Sequence, residues 1–286
     1  MSDPLTSLLE LLDLEPLEHN IYRGNNREIG SGRVFGGQVL AQALVAARRT
    51  VDEPRDAHSL HGYFILPGDV ATPIVYFVDR LRDGKSFTTR RVTGIQKGQA
   101  IFSMTASFHV DEAGEEHHAP MPEAPPPEDL PRELDLIRDI SERIPPRLRE
   151  VLTQDRPIDF RPVQPTDFFL PEPRPPRQMM WLRALGEVPG ELLQHQAVLA
   201  YASDYGLLAT ALLPHGLSLR MPQLQVASLD HSIWFHRPFR VDDWLLYVMD
   251  SPSAAGARGF ARGTVYSRDG SLVASVAQEG LMRIRS

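Results

Sequence analysis

The stretch HGYFILPGD (61–69) returns later in the chain as HSIWFHRPF (231–239). Tyr63-Phe64, Pro67 and Arg91 match Trp234-Phe235, Pro238 and Arg262, all 171 residues further on. The turns Lys97-Gly98 and Asp269-Gly270 match at 172. Asp-Gly between alternating residues is a strong hairpin signal. Outward from each block runs an alternating strand pattern, and ahead of each lies one apolar helix. These helices are GGQVLAQALVAA (36–47) and HQAVLAYASDYGLLATALL (195–213). Self-similarity at such a distance marks an internal duplication, and it decides the architecture before any single element does.

Each half therefore predicts a long helix followed by about four antiparallel strands. A helix that is apolar on nearly every face must be buried all round. A curved antiparallel sheet wrapped around a central helix achieves that. The fold class is then α+β, not the alternating βαβ of a doubly wound sheet. Residues 119–176 hold 15 of the 25 prolines. Proline resists helix interiors and central strands, so this region reads as a partly extended linker with one helical island near Leu134 to Arg143. The expected division is 1–116 for the first repeat, 117–157 for the Pro-rich linker and 158–286 for the second repeat.

With 286 residues, 42 % of them hydrophobic, the chain can bury a substantial core. It has no cysteine. That excludes a disulfide, a thiolate metal site and a cysteine nucleophile. It also fits a reducing compartment, so a cytoplasmic location is expected. A net charge of −7 argues against a nucleic-acid binder. The N-terminus has no basic start, and Leu5, Leu8, Leu9 and Leu12 recur at helical spacing. Asp3 serves as N-cap and Pro4 as first helical residue, which predicts a short docking helix rather than a signal peptide. No membrane span is expected, because the longest apolar stretches carry Asp204, Pro214 or His215.

Asp204 stands out within YASDYG. On a helix its neighbours at three and four residues are Ala200, Tyr201, Leu207 and Leu208, so it faces the core stripe. A buried carboxylate without a partner costs several kcal/mol or takes up a proton. Two readings stay open: a local cap or arginine pair, and a general base in a dry cleft. Aligning VLAQALV with VLAYASD puts Val45 opposite Asp204, which weakens the structural explanation. Other chemistries lack their motifs. There is no G-x-S-x-G elbow and no H-E-x-x-H, and metal binding is not expected. His231 and His236 fall on opposite faces of a strand and read as packing or surface residues. In GSGRVFG (30–36), Phe35 replaces the third glycine of a dinucleotide loop.

The segments VFGGQVLAQAL, HGYFILPGD, YASDYGLL, LDHSIWFHRPF, ARGFARG and SVAQEGLMR resemble those of the bacterial, TesB-like acyl-CoA thioesterase II family, in order and over nearly the whole chain. The resemblance implies a double hotdog fold. It implies hydrolysis of acyl-CoA to free fatty acid and CoA with no covalent intermediate and no cofactor, and homo-oligomerisation as a dimer or tetramer. Carried over by motif, the catalytic positions fall on Asp204, on Ser228 in VASLDHS and on Gln278 in SVAQEG. The family usually has threonine at the second place, so Ser228 keeps the hydroxyl but loses the β-branch that restricts its rotamer. Ser228 matches Ala57 at offset 171, and Gln278 matches Ala106 at 172, so the polar set belongs to one repeat. The Gly36-Gly37 pair has two readings: close packing of helix on sheet, or a Gly37 backbone N–H serving as oxyanion donor. Arg90, Arg91, Arg258 and Arg262 are candidates for the CoA phosphates. Two rivals remain. A hotdog enoyl-CoA hydratase needs a histidine five residues after the aspartate, where this chain has Ala209. A non-catalytic acyl-CoA-binding module does not explain three polar residues confined to one repeat.

Overall fold

The first turn of the chain is capped as its sequence demands. Asp3 Oδ2 accepts the Thr6 N–H at 3.2 Å, and Pro4 follows at the first helical position. This helix, α1 (Pro4–Leu12), buries Leu5, Leu8 and Leu12. The computed structural model describes residues 3–30, 32–52, 54–167, 171–219, 221 and 223–285, without the side chain of Arg147. After α1 come β1 (Glu15–Glu18), β2 (Ile21–Gly24) and α2 (Gly36–Arg48). Four strands complete the first half: β3 (Asp56–Phe64), β4 (Ile74–Asp83), β5 (Phe87–Gln96) and β6 (Gln99–His109). The second half runs β7 (Ile158–Pro162), β8 (Arg177–Ala184), α5 (Leu192–Ser203), β9 (Leu224–Ser228), β10 (Asp230–Phe235), β11 (Leu245–Ala255), β12 (Arg258–Ser267) and β13 (Leu272–Ile284). Between the halves lie α3 (Glu133–Asp139) and α4 (Pro146–Thr153).

Among the described residues, thirteen strands form one antiparallel sheet in the order β1-β2-β4-β5-β6-β3-β10-β13-β12-β11-β8-β7, with β9 beside β13. The halves join through β3 and β10, where His61 faces Ser232 and Asp230 faces Tyr63. A residue 171 positions from His61 is Ser232, so the pseudo-twofold axis passes between these two. The rest of the ladder keeps the same bookkeeping. Thr105 pairs with His61 in the first half and Ala277 with Ser232 in the second, which fixes β6 against β13 at an offset of 172. Inside the sheet lie the two apolar helices. Every residue from Gly37 to Arg48 and from His195 to Ser203 is buried. Leu40, Leu44 and Leu199 are fully enclosed, and each such side chain contributes roughly 1.5–3 kcal/mol. Leu192–His215 is long and apolar enough to cross a membrane, but 72 % of its most apolar window is buried within the fold. This is the double hotdog arrangement that the family resemblance implied, with the wrapped sheet and buried helix that the repeat predicted in each half.

Two elements differ from expectation. The helix predicted over 195–213 breaks: α5 ends at Ser203, Asp204 caps it, and a 3₁₀ run occupies Leu208–His215. The cause is Gly206, whose φ of +76° lies in the left-handed region that ends helices. The linker also carries more structure than one island. A short 3₁₀ turn (Ser141–Arg143) follows α3, and α4 is an additional helix. The proline-rich part packs on the sheet's outer face, where Met121, Ala124 and Leu130 meet Trp181, Trp244 and Tyr266. Its free carbonyls take donors from the sheet: Trp181 Nε1 donates to Pro125 at 2.8 Å and Arg161 to Pro127 at 2.8 Å.

Candidate active site

Because α5 ends where it does, Asp204 leaves the helix axis beside the start of α2. Its side chain is 7 % exposed. Oδ2 accepts the Gly37 backbone N–H at 2.9 Å, and Oδ1 accepts Gln278 Nε2 at 2.7 Å. The same Nε2 lies 3.0 Å from Ser228 Oγ. Asp204, Ser228 and Gln278 come from α5, β9 and β13, and the fold brings all three together. The amide orientation follows from its neighbours: turned over, Gln278 would set its oxygen against the carboxylate. Gln278 Oε1 is buried and accepts no hydrogen bond within the protein.

Burial drives the Asp204 carboxyl up, but His231, Gln278 and the Gly37 amide outweigh it and hold the group below the ordinary carboxylate range. The α2 N-terminus adds the positive end of its dipole. Gly37 therefore does not stand free as an oxyanion donor, as the sequence suggested. A buried carboxylate needs donors, and this amide serves Oδ2 as Gln278 serves Oδ1. The glycine pair makes that approach possible. A Cβ on Gly36 would lie 2.8 Å from Asp204 Oδ2, and one on Gly37 would lie 2.3 Å from the Tyr201 carbonyl oxygen.

The arginine candidates stand elsewhere. Arg90 is fully buried and donates to Thr50 and to the Arg82 carbonyl, and it is paired with Asp83. Arg91, Arg258 and Arg262 alternate with buried residues, so they point outward, and they pair with Asp79, Glu279 and Asp250. None of the four turns toward Asp204. The residue that sequence reasoning passed over is His231. It is fully buried, with Nδ1 3.6 Å from Asp204 Oδ1 and Nε2 3.0 Å from Ser203 Oγ. The available signal was its alternation with Ile233 and Phe235, which puts a histidine on the core face of β10.

Comparison with known proteins agrees with this geometry. Residues 25–109 match the model of an acyl-CoA thioesterase N-terminal domain, and residues 150–281 match that of acyl-CoA thioesterase. Acyl-CoA thioesterase 2 of Haemophilus influenzae is 41 % identical over 283 residues, 99 % of each chain. The chain belongs to the TesB-like acyl-CoA thioesterase II family. The human acyl-coenzyme A thioesterase 8 is 42 % identical across 96 % of this chain and 88 % of its own. The crystal structure of an acyl-CoA thioesterase II, TesB2, from Mycobacterium marinum superposes with a TM-score of 0.80 at 44 % identity, covering 98 % of this chain and 99 % of that one. As a member of this family, the chain is an acyl-CoA thioester hydrolase. The second matched segment contains Asp204, Ser228 and Gln278, while the first contributes the Gly36-Gly37 helix start that holds Asp204. The polar cluster around Asp204 is thus shared between the halves.

Proposed function

We propose that the chain hydrolyses fatty acyl-CoA by direct attack of water, with Asp204 as general base and with Ser228 and Gln278 orienting that water. The supporting observation is the single Gln278 amide nitrogen, 2.7 Å from Asp204 Oδ1 and 3.0 Å from Ser228 Oγ. It ties the carboxylate to the hydroxyl. It leaves the Ser228 proton and Gln278 Oε1 to hold a water against the carboxylate. Water loses a proton to Asp204 as its oxygen bonds to the thioester carbon. The tetrahedral adduct then expels the CoA sulfur as thiolate, which takes the proton back. The products are a carboxylic acid, which releases its proton to solvent, and CoA. In this reading the Ser228 hydroxyl, which accepts from Gln278 Nε2, orients water instead of attacking the thioester, and no acyl-enzyme forms. A carboxylate held this acidic is a weak base, so positioning supplies much of the acceleration. His231 does not act as a hydratase histidine, because it is enclosed and its Nε2 is held by Ser203.

The proposed setting is the cytoplasm, supported by a chain without cysteine. A homo-oligomer is part of the same reading, supported by Tyr63 and Trp234, which stand exposed on the outer face at 64 % and 36 %. Size-exclusion with light scattering tests it, and a monomer at micromolar concentration contradicts it. The central test is thiol release from acyl-CoAs of graded chain length. Activity in the wild type and its loss in Asp204→Asn supports the reading; an Asp204→Asn variant as active as wild type ends it.

A further inference from the structure

We propose that His231 is a positioning residue that presents an Nδ1–H to Asp204 and keeps the carboxylate aimed and ionised, an inference that rests on Asp204 being the base. The fold does not require a histidine here. The pseudo-equivalent position, 171 residues earlier, is Leu60, which is equally buried. An apolar side chain therefore satisfies the sheet at this point. A buried imidazole is costly unless both nitrogens have partners.

The proton count fixes the ring's state. Ser203 Oγ lies 3.0 Å from both the Ala200 carbonyl oxygen and His231 Nε2. The hydroxyl has one proton. If it goes to Nε2, a neutral ring must carry its own proton on Nδ1. If it goes to Ala200, Nε2 must be the donor, and a bare Nδ1 lone pair would then face a carboxylate 3.6 Å away. That arrangement is repulsive, so the hydroxyl turns its proton to Nε2. Every arrangement without repulsion puts a hydrogen on Nδ1 facing Asp204. Nδ1 has no other protein partner within hydrogen-bond range. At 3.6 Å the contact is electrostatic, and a shift of about 0.7 Å makes it a hydrogen bond. Tyr247 donates its hydroxyl to the Ser203 carbonyl at 2.9 Å, which fixes the backbone that carries both Ser203 and Asp204.

The remaining ionisable groups do not compete. Tyr201 and Tyr205 on the α5 side and Tyr247 on β11 are all pushed up by burial, so they stay neutral at acid pH. Asp230 turns to β13, where its Oδ1 accepts the Glu279 N–H at 2.6 Å, and Glu279 is paired with Arg258.

Two replacements separate this role from packing. An asparagine amide sits near the Nδ1 position of histidine, and a glutamine amide sits near Nε2. The measurement is kcat/KM for acyl-CoA hydrolysis across pH, with thermal unfolding alongside. His231→Gln is expected to lower kcat/KM about tenfold, the scale of one hydrogen bond to a charged group, and to move the acid limb upward. His231→Asn is expected to stay within about threefold with its limb in place. Equal pH profiles for the two variants overturn the proposal, whether both match wild type or both are displaced. If neither folds, His231→Leu, which carries the side chain of the pseudo-equivalent Leu60, decides: an upward limb supports the role, and an unmoved limb overturns it. A fully active Asp204→Asn instead removes the base assignment, which keeps the two failures distinct.

Discussion

The two halves wrap equivalent strands around equivalent helices, yet their inner faces end up filled in opposite ways. In the first half Ala57 lies across from Phe108 and Ala106 across from Arg90. In the second, Ser228 lies across from Gly280 and Gln278 across from Ala261. The offsets of 171 and 172 make these the same four places. Phe108 and Arg90 are fully buried in the first half; at the place of Phe108 the second half has Gly280, against which Leu208 packs so closely that a Cβ would lie 2.3 Å from its Cδ2. Arg90 then spends its donors on Thr50, Asp83 and the Arg82 carbonyl, away from any substrate. A polar residue on the inner face is thus not enough for a site; it needs a small residue across the ladder and a carboxylate at the end of the facing helix. α2 continues as helix through Arg48, past Val45, whereas α5 stops at the matching Asp204.

The comparison breaks most severely at its centre. Asp204→Asn is expected to lower kcat by on the order of 10²- to 10⁴-fold in protein that still unfolds cooperatively, read by thiol release and calorimetry. Gly37→Ala tests the contribution of the first half to the site. Its Cβ would meet the Tyr201 carbonyl oxygen at 2.3 Å, and the displaced carboxylate is expected to lose about 10²-fold in rate, with about 1–3 kcal/mol of stability. Arg90→Ala probes the filled half. It is expected to cost about 2–4 kcal/mol in denaturant unfolding, from the cavity and the abandoned acceptors, with thiol release per folded molecule unchanged.

The pH dependence follows from the sign of the Asp204 shift. Its folded carboxyl lies below the ordinary range, so the base form persists from neutral pH through that range. Activity is expected to fall only as pH drops through the lowered value. The same shift contributes stability that is present above the unfolded value and lost as pH falls through the folded one. A rate that already falls near neutral pH contradicts this. The smallest effect is expected for Ser228→Thr, which restores the branched hydroxyl and is expected to change kcat by less than about threefold.

Much of this was legible in the chain. The repeat gave the double layer, the all-apolar helices gave the core, and Asp204 announced itself as a charge among Ala200, Tyr201 and Leu208. Ser228 and Gln278 carried almost no signal by themselves, since a serine or a glutamine on a strand has ordinary uses. Only the family motifs and the apolar counterparts Ala57 and Ala106 singled them out. The glycine pair was visible, but not its role, because the amide's partner lies 167 residues away. His231 escaped because strand alternation says which face a side chain takes and not what it meets there.

The amino-acid order by itself determined the elements that depend on near neighbours. These are the capped first helix, the hairpins at Lys97-Gly98 and Asp269-Gly270, the duplication and the burial of both central helices. Gly206 stood inside the apolar run predicted as one helix, and only the fold shows it as the stop. What only the tertiary structure decided is which groups share a proton or a hydrogen bond. Asp204 reaches Gly37 in the other half and Gln278 on a strand 74 residues further on, and Gln278 in turn reaches Ser228, 24 residues past Asp204. Such contacts depend on sheet register and on how closely two helices approach. Those are set by the volumes of residues such as Gly36, Ala261 and Gly280, summed over the whole core, and no local pattern encodes them.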